Sequence, residues 1–135
     1  MSLRERSSVE ASGPWAADWG YVRALRVGDR IEVSGTLAIG PDGQVAFPGD
    51  AYRQTRFVLE VISNALDELG ATMGDVVRTR AFLRDVDDWR EVGRAHLEVF
   101  SGLAKPVSSC VGGAELLDPR LVVEVEAEAI VPATE

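Results

Sequence analysis

The sequence predicts an α+β domain in which a sheet carries two helices on one face. Two stretches have the apolar period of amphipathic helices, one opening near Asp50 and one near Asp88. The segments around them alternate with a period of two, which makes the order strands, helix, strand, helix, two strands. Two helices can cover only one face of such a sheet, so the second face must meet water, cations or a partner.

Taken in order, residues 1–15 read as a flexible lead-in, polar and small up to Gly13, and 16–133 as a single domain. Tyr21 to Val27 reads as a strand, and Gly28-Asp29 supplies a two-residue hairpin turn. Arg30 to Leu37 returns, with Ile31 and Val33 on one face and Glu32, Ser34 and Thr36 on the other. Pro41-Asp42-Gly43 is a second turn, followed by a short strand near residues 44–47. Asp50 suits the N-cap of the first helix, and Gly70 its C-terminal stop. Its stripe is Ala51, Thr55, Val58, Ile62, Ala65 and Leu69, widened by Leu59 and Leu66.

Asp75 to Asp85 reads as a strand with Val77, Thr79, Ala81 and Leu83 on one face. Val76, Arg78, Arg80, Phe82 and Arg84 take the other. Asp88 with Glu91 three residues on matches a capping box, and Trp89, Val92, His96, Val99 and Leu103 form the second helix's stripe. Residues 105–131 read as two strands joined by a tight turn at Leu117-Asp118-Pro119-Arg120. Gly112-Gly113 within the first marks a bulge or a close backbone approach. The second alternates cleanly. Leu121, Val123, Val125, Ala127, Ala129 and Val131 share one face, and Glu124, Glu126 and Glu128 stand about 7 Å apart on the other.

At 135 residues, 46% of them hydrophobic, one domain buries its own core. The net charge of −8 opposes a phosphate backbone, which argues against a nucleic-acid reader. The single Cys110 forms no internal disulfide and fits a reducing compartment. The first residues lack the apolar core of a signal peptide, and no apolar run is long enough for a membrane span. The expectation is a cytoplasmic protein with no membrane partner.

The acidic row of the last strand finds its natural complement in Arg78, Arg80 and Arg84. Buried charges need opposite charges, and a homo-oligomer packing these faces together would supply them. Two readings stand for Glu124: a general acid/base raised in pKa among Glu126 and Glu128, or an ion pair with Arg78 or Arg80. Tyr21 stands between site residue and interface packing. His96 is read as a packed or edge histidine, and one His with one Cys gives no metal-ligand cluster. Cys110 is read as a small cleft-lining residue rather than a reactive thiol. Ser108 could act as a nucleophile only with a base beside it.

Several stretches together carry a resemblance: GYVRALRVGDRIEVSG at 20–35, Gln54-Thr55 opening a helix, GDVVRTRAFLRDVDDW at 74–89, Pro106 with Ser109-Cys110-Val111, and VEVEAEAI at 123–130. In order and spacing they resemble the YjgF/RidA family, also known as the L-PSP family. The resemblance implies a chorismate-mutase-like α+β fold, a mixed sheet with two helices on one face, assembled as a homotrimer with ligand clefts at its subunit interfaces. It also implies hydrolysis of small reactive imines or enamines to a 2-oxo acid and ammonia, with no cofactor. Of the family's site residues, Tyr21 matches the tyrosine, Glu124 the glutamate that positions or activates water, Ser34-Gly35 the SG pair, and Cys110 a cleft cysteine.

The arginine that clamps the substrate carboxylate has no match, because Ser108 holds its place in Pro106-Val107-Ser108-Ser109. Thr36 stands where a glutamine is usual, and Gly93 where an asparagine is. The chain thus resembles the subgroups without the arginine. Its expected function is that of a RidA-like hydrolase (a deaminase) on a small molecule, with a non-catalytic small-molecule-binding trimer as the alternative. Arg80 or Arg23 is the candidate replacement for the clamp.

Overall fold

The computed structural model describes residues 5–132. A six-stranded sheet runs in the order β1-β2-β3-β6-β4-β5. Its strands are β1 (Arg6–Glu10), β2 (Val22–Val27), β3 (Arg30–Thr36), β4 (Val76–Leu83), β5 (Val107–Val111) and β6 (Val123–Ile130). The β4–β5 pair is parallel and every other pair antiparallel. Two long helices, α2 (Ala51–Glu68) and α3 (Trp89–Phe100), pack against each other, and a short α1 (Ala16–Trp19) precedes β2.

The expected stripe of α2 is buried along its whole length, from Ala51 to Leu69. It meets Ile31, Val33, Val123, Val125, Ala127 and Ala129 from the core face of β3 and β6. Full burial of a side chain such as Ile62 or Leu66 contributes roughly 1.5–3 kcal/mol. The Asp50 carboxylate accepts the Arg53 backbone N–H at 2.9 Å, and Gly70 follows the helix at φ 85°. The two-residue turn at Gly28-Asp29 brings Val27 opposite Arg30, as expected.

Several expectations are corrected. Within the lead-in expected at 1–15, Arg6–Glu10 forms an edge strand on β2, and a helical turn at Ala16–Trp19 follows it. This edge strand is exposed except at Val9, which packs against the core, so one apolar residue gives no alternation to read. Residues 1–4, and 133 at the expected domain end, lie outside the described residues. The strand expected near 44–47 is reduced to one bridge between Ile39 and Val45.

The two strands expected in 105–131 do not pair with each other. β5 runs parallel to β4, while β6 inserts between β3 and β4. Gly112 packs so closely on Val86 that no Cβ fits there, and the Ala114 N–H donates to Leu83 O. The chain is thereby led away from β5 into a loop, within which residues 117–120 make the turn. The close approach expected at Gly112-Gly113 is present, and the hairpin is not.

Strand parity shifts at two places. In β4 the register slips between Val76 and Arg78, so Val76 is buried and Val77 exposed, the reverse of the simple alternation. In β3 a bulge between Val33 and Thr36 sets three steps against two on β6, which turns Thr36 onto the core face. At α3 the Asp88 side chain caps nothing, and Glu91 pairs with Arg94 at 2.8 Å instead of closing a capping box. Its buried residues are Val92, Ala95 and Phe100, whereas Trp89 and Leu103 are exposed.

The acidic and basic rows also meet differently from the oligomer expectation. They are neighbours in one sheet, with Arg80 3.1 Å from Glu126 and Arg78 3.6 Å from Glu128. Arg84 belongs to neither row, since its guanidinium donates to the carbonyls of Leu116, Asp118 and Leu121.

Candidate functional site

The helix-free face of the sheet holds the chemistry, because β6 alternates. Val123, Val125 and Ala127 point into the core, so Glu124, Glu126 and Glu128 point to the opposite face. Glu124 lies opposite Phe82 of β4 and beside the bulge of β3. There Gly35 leaves the space that the carboxyl occupies. A Cβ at position 35 would lie 2.8 Å from the Glu124 carboxyl carbon and 3.1 Å from each of its oxygens. The carboxyl group therefore rests on bare backbone.

Arg23 comes to the same place from β2. Its Nη1 donates to Gly35 O at 2.8 Å and to Thr36 Oγ1 at 3.1 Å, and its guanidinium lies 5.8 Å from the centre of the Tyr21 ring. The Thr36 hydroxyl donates in turn to Ser34 O at 2.7 Å, and Ser34 Oγ donates to Val22 O at 2.7 Å. The bulge is thus laced to β2 by polar bonds that hold Arg23 in place. Among the described residues Glu124 makes no ion pair, so the reading that pairs it with Arg78 or Arg80 is corrected. Burial first, and the Glu126 charge second, raise the Glu124 pKa above the ordinary carboxylate value, against a smaller opposing pull from Arg23.

These groups line a cavity of about 950 Å³. Tyr21, Arg23, Ser34, Gly35, Glu124 and Glu126 supply its polar side. Trp15, Ile39, Phe57 and Leu116 supply an apolar wall, and the exposed Trp19 and Leu117 stand at its rim. A second depression, of about 830 Å³, lies along α2, where Arg53 and Arg56 already face Asp50 and Glu98.

Of the residues expected at the site, the structure brings Tyr21, Ser34, Gly35 and Glu124 together. Arg80 lies on the same sheet face but is held by Glu126 and Glu128, at 3.1 and 3.8 Å. Ser108 and Cys110 are elsewhere, on the exposed edge strand β5. Ser108 Oγ sits 2.7 Å from Thr79 Oγ1, which is 2.8 Å from His96 Nε2. Within one chain, then, Ser108 does not line the cavity that holds Glu124. His96 is a packed histidine against Phe100, and burial lowers its pKa. Cys110 is exposed, and such burial as it has raises its thiol above the usual value, against a ready thiolate.

The apolar wall from Trp15 and the 112–122 loop is not among the residues expected at the site, and Arg23 is there only as a possible replacement for the clamp. Parity held the signal for Arg23, since it stands two residues after Tyr21 on one strand and so shares its face. No group of His, Cys, Asp and Glu capable of holding a metal occurs among the described residues. None of the described helices is long and apolar enough to cross a membrane.

Fold and site together define a class: a small α+β domain with two long helices on one side of a mixed sheet and a ligand-sized cavity lined by the sheet, α1, α2 and the 112–122 loop. The chain belongs to the Endoribonuclease L-PSP family, whose model matches residues 12–131. It is 36% identical over 121 residues to an uncharacterized protein of Streptomyces coelicolor, covering 90% of this chain and 89% of that protein. It is also 36% identical over 110 residues to a RutC family protein of Pyrococcus abyssi, covering 82% and 84% of the two chains. A crystal structure of a YjgF/YER057c/UK114 family member from Mycobacterium tuberculosis superposes with a TM-score of 0.83 at 39% identity, covering 94% of this chain and all of that one.

Proposed function

We propose that this protein is a YjgF-type hydrolase that deaminates a small imine or enamine in the Tyr21–Arg23–Glu124 cavity. The observation that carries the reading is the Glu124 carboxyl, half-buried, without an ion-pair partner among the described residues and raised in pKa. A carboxyl poised this way can accept a proton from one group and return it to another. In the reaction, water adds to the imine carbon while Glu124 takes its proton. With the imine nitrogen entering protonated, the neutral carbinolamine collapses as Glu124 returns its proton to the leaving nitrogen. The hydroxyl gives its own proton to water, which repays the one the imine brought. One imine and one water yield one ketone or 2-oxo acid and one ammonia.

The assembly proposed is a homotrimer with clefts shared between chains, in a cytoplasmic protein that needs no cofactor. The exposed edge strand β5 supports shared clefts, because Ser108 and Cys110 would reach a Glu124 cavity only in a neighbouring chain. Ammonia release from enzymatically generated imines tests the activity. Glu124→Gln removes the titrating proton and keeps the shape, and its rate is expected to fall by roughly 10²- to 10⁴-fold. Binding of the same ligands with no ammonia released by the wild type would establish the non-catalytic binding trimer instead.

A further inference from the structure

We infer that Arg23 is the anion-recognising group of this cavity, and that the ligand it takes is a monocarboxylate carrying a bulky apolar substituent. The inference rests on reading the cavity as the ligand site, but not on any reaction taking place there.

The first support is the state of the cations. On the helix-free face, Arg78 faces Glu128, Arg80 faces Glu126 and Glu128, and Arg30 faces Glu32, all within 3.8 Å. Arg23 has no acid that close among the described residues. It is also pre-positioned, because Nη1 is fixed by Gly35 O and Thr36 Oγ1 while Nε and Nη2 have no partner among the described residues. A guanidinium fixed at one nitrogen presents its remaining donors as a planar fork, the geometry that suits two carboxylate oxygens.

The second support is the wall. A cavity of about 950 Å³ lies near the top of the range of small-molecule sites, far larger than a two- or three-carbon acid fills. Trp15, Phe57, Ile39 and Leu116 line the same cavity, and Trp19 and Leu117 add apolar surface to it. That surface favours a ligand with a large hydrophobic part.

The surrounding charge argues the other way and makes the test sharp. Asp18, Glu115, Glu124 and Glu126 also line the cavity, on a chain of net charge −8. An anion enters only if the Arg23 fork holds it, and a cavity governed by its acids would prefer an amine.

Isothermal titration of the wild-type protein with 3-phenylpropanoate, 3-phenylpropanamide, 3-phenylpropylamine and acetate separates these cases. The expected order places 3-phenylpropanoate first, about 10-fold or more above the neutral amide and above acetate. Arg23→Gln is expected to lower 3-phenylpropanoate affinity by about 10- to 150-fold and leave the amide unchanged. Arg23→Lys should restore part of the loss, through charge without the fork. Equal binding of acid and amide, tighter binding of the amine, no binding of any acid, or an unaffected Arg23→Gln variant would each overturn the inference. Binding is read without turnover, so the two proposals fail separately. Carboxylate binding lost in Arg23→Gln but no ammonia from any imine removes only the hydrolase reading. Ammonia release indifferent to Arg23 removes only this one.

Discussion

The side chain that Gly35 lacks decides where the Glu124 carboxyl sits. Gly35 is not at a positive φ, so alanine adopts its backbone without strain, and the whole effect of Gly35→Ala falls on its neighbour. The new methyl displaces the carboxyl, which as the far end of a flexible side chain moves at little cost in stability. We expect Gly35→Ala to stay folded and to lose ammonia release on the order of 10²-fold, as when a general acid/base is misplaced. Initial rates beside a melting curve check this, and an unchanged rate would show that the seat of the carboxyl is immaterial. The pair Ser34-Gly35 was legible in the sequence as a motif, but its reason was not. Only the ladder with β6 shows that β3 spends an extra residue there, turning Thr36 inward against a strict period of two. Alternation along a single strand carries no information about its partner's register.

Among the elements, α2 shows both what is legible and what is hidden. Its cap, stripe and stop all follow from residue types at fixed spacing, and the structure keeps each of them. Gln54 is the exception. It stands three residues after Ala51 and four before Val58, on the buried stripe, and is fully buried itself. Its amide donates to the carbonyls of Ala46, Phe47 and Arg120, and its oxygen accepts from the Val122 N–H. One side chain thereby ties the loop before α2 to the end of the loop that supplies Leu116 and Leu117 to the cavity wall. Partners up to 68 residues away are invisible to local pattern. Gln54→Leu keeps the size of the side chain but strands these backbone groups, and we expect a loss of about 3 kcal/mol or more in urea-induced unfolding. A loss below about 1 kcal/mol would mean that water replaces the bonds.

At the scale of the whole molecule, the class of fold was legible from two helices and the alternating segments around them. The sheet order was not, because local pattern names strands but not their neighbours. The misplaced hairpin at 105–131 shows this. Two strands adjacent in sequence lie apart, with β4 between them. The charged rows, read as complements across an oligomer, pair within one chain, and this removes one motive for assembly. What remains exposed is apolar surface on the β5 edge, with Val107 at 57% and Val111 at 48%, on the face shared with Arg78 and Phe82. Sedimentation equilibrium at micromolar concentration is expected to give three times the chain mass, from a closed cyclic assembly. A monomer there would contradict both the trimer and the shared clefts.

The seat of β6 between β3 and β4 also bears on how the molecule is made. The strand that completes the middle of the sheet is the last of its six in chain order. Until it arrives, a nascent chain carries two half-sheets, each with an open edge of unpaired backbone groups. Neither half can bury the apolar face of α2 alone, so native folding waits on residues 123–130. Ribosome-bound chains halted before residue 123 would be natural clients for chaperones, and the cell sees this domain as all or nothing.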